Sequence, residues 1–146
     1  MNTLFENFYC CRYLDDDSKI VLKQFLERIG IIKNNTGFEY HCTIMFSKDK
    51  FPSFTRVNQE KVEISLGDFD LFGDYLVIRV ESDELRKDFQ KWIDLGCNYS
   101  YDDYKPHISI LKDYKTVLTK KQLKEIMSSS FSGKLYLGQE FTDLSK

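Results

Sequence analysis

The sequence has few chain breakers: it holds only two prolines, Pro52 and Pro106, and seven glycines in 146 residues. No segment is rich in glycine and serine, so nothing marks a linker, and we predict a single domain over residues 1–146. The sequence also lacks an apolar run long enough to cross a bilayer and a basic start followed by an apolar stretch. We therefore expect no membrane segment and a cytoplasmic location.

A surplus of positive charge is also missing. The chain carries 21 Lys and Arg against 23 Asp and Glu, for a net charge of -2. Proteins that bind long nucleic acids normally carry a basic surplus, because their affinity grows with the number of phosphates they neutralise. We therefore expect no long nucleic acid as partner. A phosphate-bearing partner should be small or held locally.

Clustered metal ligands are absent from the sequence as well. The four cysteines, Cys10, Cys11, Cys42 and Cys97, include no CxxC pair and no close Cys/His group, and the carboxylates show no ligand spacing. We predict reduced thiols, no metal and no cofactor. What the chain does have is 42% hydrophobic and 15% aromatic residues, which is enough for a packed core.

Hydrophobic periodicity predicts the element order β-α-β-β-β-α-β-α-β. The predicted strands cover residues 7–14, 38–46, 60–72, 75–81, 106–112 and 131–141 (the last a strand or a hairpin), and the helices cover 18–28, 82–95 and 119–128, with a turn at 34–37. The short connections favour an α+β fold with mostly antiparallel sheets and helices packed outside. Each half has a helix, a turn and a strand carrying the pattern H-x-[ST], which predicts two pseudo-symmetric lobes.

The chemistry of the chain centres on its two histidines. His41 opens the segment HCTI and His107 opens the segment HISI, so each is followed two positions later by a hydroxyl, Thr43 or Ser109. Residues i and i+2 of a strand share a face, so each motif presents an imidazole beside a hydroxyl. The intervening apolar residues would then face the core.

Such a set suits cleavage of a phosphodiester. A neutral imidazole accepts a proton from the attacking oxygen, an imidazolium donates one to the leaving oxygen, and the hydroxyls bind the non-bridging oxygens. A lone histidine in a strand is usually only a partly buried polar residue. Chance places a hydroxyl at i+2 of both histidines only about once or twice in a hundred, so the doubled pattern favours a functional pair.

The two tetrads resemble the 2H phosphoesterase superfamily, which is named for two H-h-[ST]-h motifs in a duplicated, two-lobed α+β fold. The flanking segments NFYCCRY, YHCTIMF and KPHIS are similar to those of the phage anti-CBASS nucleases, which degrade cyclic di- and trinucleotide messengers of a bacterial antiphage defence. The resemblance implies His41 and His107 as the acid–base pair and Thr43 and Ser109 as phosphate-holding hydroxyls. It also implies a ribose 2′-hydroxyl as nucleophile, and the host cytoplasm as location if a phage encodes the chain.

Two other functions stay open at this point. Many 2H phosphoesterases act on RNA ends or on 2′,3′-cyclic phosphates, and a protein with the same cleft but without reactive histidines would bind a cyclic nucleotide without cutting it. The sequence predicts neither the base preference, nor the product ends, nor which histidine is the base, nor the oligomeric state.

Five residues are candidates for holding the substrate. Tyr9 and Tyr13 share a face of the first strand, where a tyrosine stacks on a base or packs in the core. Phe72 at a hairpin tip is a comparable aromatic, and Lys105 is positioned to offset phosphate charge. Glu140 would accept a hydrogen bond from a base edge or lie at the surface.

Two further features are aromatic. Trp92 lies on the apolar side of a predicted helix and is expected in the core. The loop over residues 98–105 is rich in tyrosine and aspartate, and is either a lid over the cleft or an ordinary loop with aromatic anchors.

Overall fold

A computed structural model describes residues 7–31 and 39–145 of the chain. Within these ranges the chain forms six strands and four helices. The strands are β1 (Asn7–Leu14), β2 (His41–Lys48), β3 (Val62–Phe72), β4 (Tyr75–Glu81), β5 (His107–Lys112) and β6 (Leu135–Ser145). The helices are α1 (Asp16–Arg28), α2 (Asp83–Asp94), α3 (Tyr114–Val117) and α4 (Lys120–Met127).

All six strands join in one closed barrel in the order β1-β2-β5-β4-β3-β6, and every neighbouring pair is antiparallel. Helix α1 packs on β6, α2 on β2 and β3, and α4 on β3. The predicted α+β class and the antiparallel pairing are confirmed. In the described chain, β2 and β5 meet through the single pair Cys42 and Ile108, which makes this the thinnest join in the barrel.

Two units with the same element order, β-α-β, meet at that join. Strand β1 is followed by α1 and then by its antiparallel neighbour β2, and strand β4 is followed by α2 and then by its antiparallel neighbour β5. The two strands that carry the H-x-[ST] pattern, β2 and β5, are therefore the last strands of the two units. Their meeting pairs Cys42 with Ile108, residues that lie more than sixty positions apart in the chain.

Helices α1, α2 and α4 begin within two residues of their predicted starts at 18, 82 and 119, each directly after a capping residue. The side chain of Asp15 accepts from the backbone of Ser18 at the start of α1, and Ser82 does the same for Leu85 at the start of α2. Thr119 forms a reciprocal capping box at the start of α4. These bonds satisfy backbone donors that the first turn of a helix leaves free, which explains why the helix starts are readable locally.

The C-terminal part differs from the prediction. The hairpin alternative for residues 131–141 is wrong, because this region contributes one strand, β6, which starts at Leu135 and pairs with both β1 and β3. A short helix, α3, follows Asp113, which adopts a left-handed conformation with φ of 54°, and it was not predicted. The predicted turn at 34–37 and the first residue of the predicted strand 38–46 lie outside the described residues.

One face of each motif strand is fully buried. Cys42, Ile44, Ile108 and Ile110 have no exposed surface, as predicted for the positions that alternate with the histidines and hydroxyls. Trp92 is also fully buried, which confirms its place in the core, and its ring lies 5.0 Å from that of Phe8. In the described part of the chain, no helix is both long enough and apolar enough to cross a membrane.

Candidate active site

The candidate site lies on the partly exposed face of the strands around the β2–β5 join. Cys42 pairs with Ile108, so continuing this antiparallel register by one residue sets position 43 beside 107 and position 41 beside 109. Each histidine therefore stands next to the hydroxyl of the other motif. All four side chains are partly exposed while their neighbours in sequence are buried.

The flanking strands extend this arrangement into two rows across the barrel. Cys11 pairs with Thr43 and Arg79 pairs with His107, which gives a first row of Cys11, Thr43, His107 and Arg79. Tyr13 pairs with His41 and Val77 pairs with Ser109, which gives a second row of Tyr13, His41, Ser109 and Val77. Residues paired across strands share a face, so each row projects to the same side of the sheet.

Both imidazoles are held by the same backbone contact. Nδ1 of His41 lies 2.9 Å from the carbonyl oxygen of Glu39, and Nδ1 of His107 lies 2.8 Å from that of Lys105. A carbonyl only accepts, so Nδ1 carries the proton and donates in both rings. Nε2 is left as the atom that takes or gives a proton, which is the arrangement that acid–base catalysis needs.

The surroundings of His107 favour its neutral form. Burial lowers the pKa of His107 below its ordinary value, and the positive charges of Arg79 and His41 lower it further, against the opposing effects of the Lys105 carbonyl and of Asp70. The ring of Phe72 meets the imidazole of His107 edge-on, with ring centres 4.6 Å apart. These surroundings keep the imidazole of His107 neutral over a wider range of pH.

Thr43 is fixed through both its side chain and its backbone. Its Oγ1 lies 2.9 Å from the hydroxyl of Tyr9, and its carbonyl accepts a hydrogen bond of 3.0 Å from the hydroxyl of Tyr104. Burial raises the pKa of Tyr9 well above its ordinary value, so this phenol stays protonated. Tyr9 therefore offers either a proton or a lone pair to Thr43, and orients the threonine hydroxyl in the site.

A cleft of about 580 Å³ opens beside these residues. Its lining is aromatic and polar: Tyr9, Thr43, Phe46, Phe72, Tyr99, Tyr101, Asp102, Asp103, Lys105 and His107. His41 and Ser109 do not belong to that lining; the register places them one row along the same face. The predicted Phe72 and Lys105 thus border the cleft together with Thr43, His107 and Tyr9.

The tyrosine-rich loop forms one wall of the cleft. Ser100 donates its backbone N–H to the carbonyl of Phe46 at 2.9 Å, and its Oγ accepts from the backbone of Lys48 at 3.0 Å. Tyr104 stacks on Phe89 with ring centres 4.5 Å apart and planes 3° from parallel. The loop is therefore tied to the end of β2 and to α2, as an anchored wall.

A larger cavity, of about 700 Å³, lies elsewhere, between residues 55–60 and Lys91. None of the four motif residues lines this cavity, so the larger of the two volumes does not coincide with the catalytic candidates. We place the site in the smaller cleft because it contains an imidazole, a hydroxyl and stacking surfaces together. Within the described ranges, no group of three or more His, Cys, Asp or Glu side chains is arranged to hold a metal ion.

Tyr13 lies on the same face as His41, and the two ring centres are 5.7 Å apart. The edge of Tyr13 also meets Phe141, at 5.5 Å, and Phe141 is 49% exposed. The two aromatic rings therefore border the second row, beside His41, and neither belongs to the lining of the cleft.

Glu140 lies on the opposite side of the barrel wall, and the expectation of a surface position was wrong. Its side chain is fully buried and its carboxylate accepts from Trp92 Nε1 at 2.7 Å and from the backbone of Asn58 at 2.6 Å, and pairs with Lys91. Cys10 Sγ adds a contact at 3.4 Å. A carboxylate used in this way by the protein has no free oxygen for a base edge, so its role is structural.

Sequence reasoning missed Arg79. This residue lies directly across from His107, yet it sits inside an apolar strand pattern more than twenty-five positions earlier, and no local signal marks it. Only the register between β4 and β5 brings the two side chains together.

A comparison with known proteins identifies the family of this chain. A family model described as Anti-CBASS protein Acb1 matches residues 6–144. The chain belongs to this family. The Acb1 match spans nearly the whole chain and includes every candidate site residue named above.

A curated relative gives further detail. The anti-CBASS protein Acb1 of Escherichia phage RB16 is 28% identical over 109 residues, which cover 72% of this chain and 62% of the relative. The aligned chain thus spans less than two thirds of that Acb1 protein.

Proposed function

We propose that this protein is a metal-independent phosphodiesterase that opens cyclic di- or trinucleotide messengers, and so counters the CBASS defence of a host bacterium. The observation that carries the proposal is the register at Cys42 and Ile108, which sets each histidine beside the hydroxyl of the other motif. Membership of the anti-CBASS protein Acb1 family supports the counter-defence role.

In this proposal His107 is the base and His41 is the acid. Nε2 of neutral His107 takes the proton of the ribose 2′-hydroxyl, whose oxygen attacks the adjacent phosphorus. The bond from phosphorus to the 5′-oxygen breaks, and that oxygen receives the proton carried by Nε2 of His41. The product is a linear chain with a 2′,3′-cyclic phosphate and a free 5′-hydroxyl, and no metal takes part.

Thr43 and Ser109 complete this mechanism. As the attack proceeds, negative charge builds up on the non-bridging oxygens, and a hydroxyl from each side donates to them. Tyr9 holds Thr43 in place. Because both imidazoles are oriented by backbone carbonyls, the site is arranged before the substrate arrives.

The proposed fold is that of a single 2H phosphoesterase domain with two lobes. The units β1-α1-β2 and β4-α2-β5 correspond under a pseudo-two-fold operation, with β6 and β3 as their respective outer neighbours in the barrel. The join between the lobes then coincides with the pair Cys42 and Ile108, where the two motifs meet.

A small nucleotide fits the cleft better than a long RNA does. The cleft holds about 580 Å³, within the usual range for small-ligand sites, and its aromatic lining offers stacking surfaces for bases. We assign Phe72 and Tyr9 to this role, Tyr13 to the adjacent end of the site, and Lys105 to the offset of phosphate charge. The net charge of -2 argues against an extended phosphate chain as partner.

The test is mass spectrometry of products from a panel of cyclic di- and trinucleotides, incubated with the protein in excess EDTA. A linear product is expected from at least one member, and it should be lost in His41→Ala and in His107→Ala. Full activity in either variant would contradict the mechanism. Lys134→Gln changes an exposed residue that is not part of the candidate site. It is the control and should keep wild-type turnover.

Two other results would redirect the assignment. Faster turnover of RNA that ends in a 2′,3′-cyclic phosphate would favour an RNA-end enzyme. Tight binding of a cyclic dinucleotide by calorimetry, with no product over hours, would favour a sequestering protein.

A further inference from the structure

Resting on the proposed function, we infer that Arg79 binds a second phosphate of the cyclic substrate, the one that is not being cut. Three observations carry this inference: the position of Arg79 in the first row, its single long contact with a protein carboxylate, and the sparse positive charge of the cleft.

Arg79 belongs to the first row, next to His107 and one strand farther from the β2–β5 join. His41, His107 and Arg79 stand on three consecutive strands, β2, β5 and β4, and Arg79 is the direct cross-strand partner of His107. Neighbouring strands are about 4.8 Å apart. The guanidinium is therefore displaced from the space between the two imidazoles, toward the next group of a bound ligand.

Arg79 is not one of the residues that line the cleft, but its guanidinium lies over the ring of a lining residue, Phe72. Its central carbon lies 5.9 Å from the ring centre of Phe72, which itself lines the cleft and meets His107. The side chain is 33% exposed, so part of it is reachable by a ligand while the rest is held against the sheet.

Most of the donors of Arg79 are unused by the protein. Nε is buried and has no hydrogen-bond partner, and Nη1 has only a long contact of 3.5 Å with Asp70, whose side chain is 44% exposed. A buried donor without a partner is costly, and native proteins rarely keep one. A planar guanidinium with free donors matches the oxygens of a phosphate, which it binds with two parallel hydrogen bonds.

The charge of the cleft favours such a contact. Its lining contributes two carboxylates, Asp102 and Asp103, against one ammonium, Lys105. A cyclic dinucleotide brings two negative phosphates, and the histidine–hydroxyl rows serve only the one being cut. Arg79 supplies the missing positive charge on the catalytic face.

The test compares Arg79→Gln with wild type, with Arg28→Gln as the matched control, since Arg28 is exposed at the last turn of α1. Arg79→Gln should raise the KM for a cleavable cyclic dinucleotide about 10- to 100-fold, the loss expected for a charged pair of hydrogen bonds. The inhibition constant of a linear dinucleoside monophosphate, which has a single phosphate, should stay within about twofold of wild type. Arg28→Gln should change neither constant.

Two results would overturn the inference. One is a KM for Arg79→Gln within twofold of wild type. The other is an equal weakening of the cyclic dinucleotide and of the linear monophosphate, which would place Arg79 on the phosphate being cut. A wild-type protein that cleaves no cyclic nucleotide would instead contradict the proposed function, so the two failures are distinct.

Arg79→Lys covers the case in which the glutamine variant does not fold. Lysine keeps the charge but loses the planar pair of donors, so KM should rise about threefold or more while its salt dependence stays that of wild type. An unchanged KM in this variant would overturn the inference as well.

Discussion

The hydroxyl of Tyr9 lies 2.9 Å from Oγ1 of Thr43, across the β1–β2 pair. A bulge between Cys10 and Cys11 shifts the register of β1 at this point, and the shift brings Tyr9 into reach of the motif threonine. Strand β1 therefore contributes to the candidate site through the hydroxyl of Tyr9 as well as through the aromatic ring of that residue.

Tyr9→Phe tests that contact. The ring is kept and only the hydrogen bond is lost, so kcat should fall about fivefold, which corresponds to about 1 kcal/mol, with little change in KM. Steady-state kinetics on a cyclic dinucleotide measures both constants. Tyr136→Phe, which removes a hydrogen bond of 3.3 Å to Glu63 at the surface, is the control. Equal kcat in the two variants would show that Tyr9 does not orient Thr43.

The two motif hydroxyls should matter mainly in the transition state. Thr43→Val and Ser109→Ala each remove one donor to the phosphate oxygens, and each should lower kcat by about 10²-fold or more, as for other oxyanion donors. KM should change much less, because the charge they serve develops during the reaction. Single-turnover rates separate the two effects. Thr116→Val, at an exposed position on α3, should keep the wild-type rate, and a loss confined to KM in the site variants would contradict their proposed role.

The activity should rise with pH as the proposed base loses its proton. The pKa of His107 lies below its ordinary value of 6.5, chiefly because of burial, so the base is neutral and active above that lowered pKa. Activity should therefore rise as pH increases through a midpoint under 6.5. A plot of kcat/KM against pH locates this rising limb. In Arg79→Gln the rising limb should move to higher pH, because a positive charge next to His107 is gone; a rising limb at or above 6.5 in wild type would contradict the assignment of the base.

The stability of the domain should depend on a buried ion pair behind the site. Arg12 is fully buried, donates through Nε to Asp88 at 2.8 Å, and donates through Nη1 to the carbonyls of Glu60 and Gly138, each at 2.6 Å. Arg12→Met leaves Asp88 buried without its partner, so the free energy of unfolding should fall by about 3–5 kcal/mol.

Urea denaturation measures that loss, and the double variant Arg12→Met/Asp88→Leu should recover part of it, since no unpaired charge remains. Lys134→Gln, which breaks an exposed pair with Glu63, should leave the urea midpoint almost unchanged. An Arg12→Met protein as stable as wild type would show that the buried pair contributes nothing.

Local signals predicted much of this fold. Capping chemistry, turn residues and alternation within one segment explain why the starts of α1, α2 and α4 were predicted to within two residues. The same local signals account for the β3–β4 hairpin and the burial of Cys42 and Ile108. The motif residues were also readable, because a strand puts i and i+2 on one face. The predicted roles of these residues stay predictions.

Pairing between distant strands was beyond such reasoning. The burial of Glu140 depends on β6 lying beside β1 and on Lys91 and Trp92 of α2 reaching its carboxylate. The neighbourhood of Arg79 and His107 depends on the register of β4 against β5. The pairing register of two strands is fixed by long-range packing and not by the segment itself. A charged residue in a strand is therefore predicted to lie at the surface until the neighbouring strands are known.

Strand β1 performs two tasks on its two sides: Tyr9 and Tyr13 face the two rows of the candidate site, and Arg12 faces the buried ion pair. A strand alternates with every residue, so one amino acid deleted or inserted ahead of these positions would exchange the sides. The guanidinium would then protrude toward the candidate site while a tyrosine was forced against Asp88. The proposed activity and the folding would be lost together, so point substitutions, and not indels, are the changes through which this strand can vary.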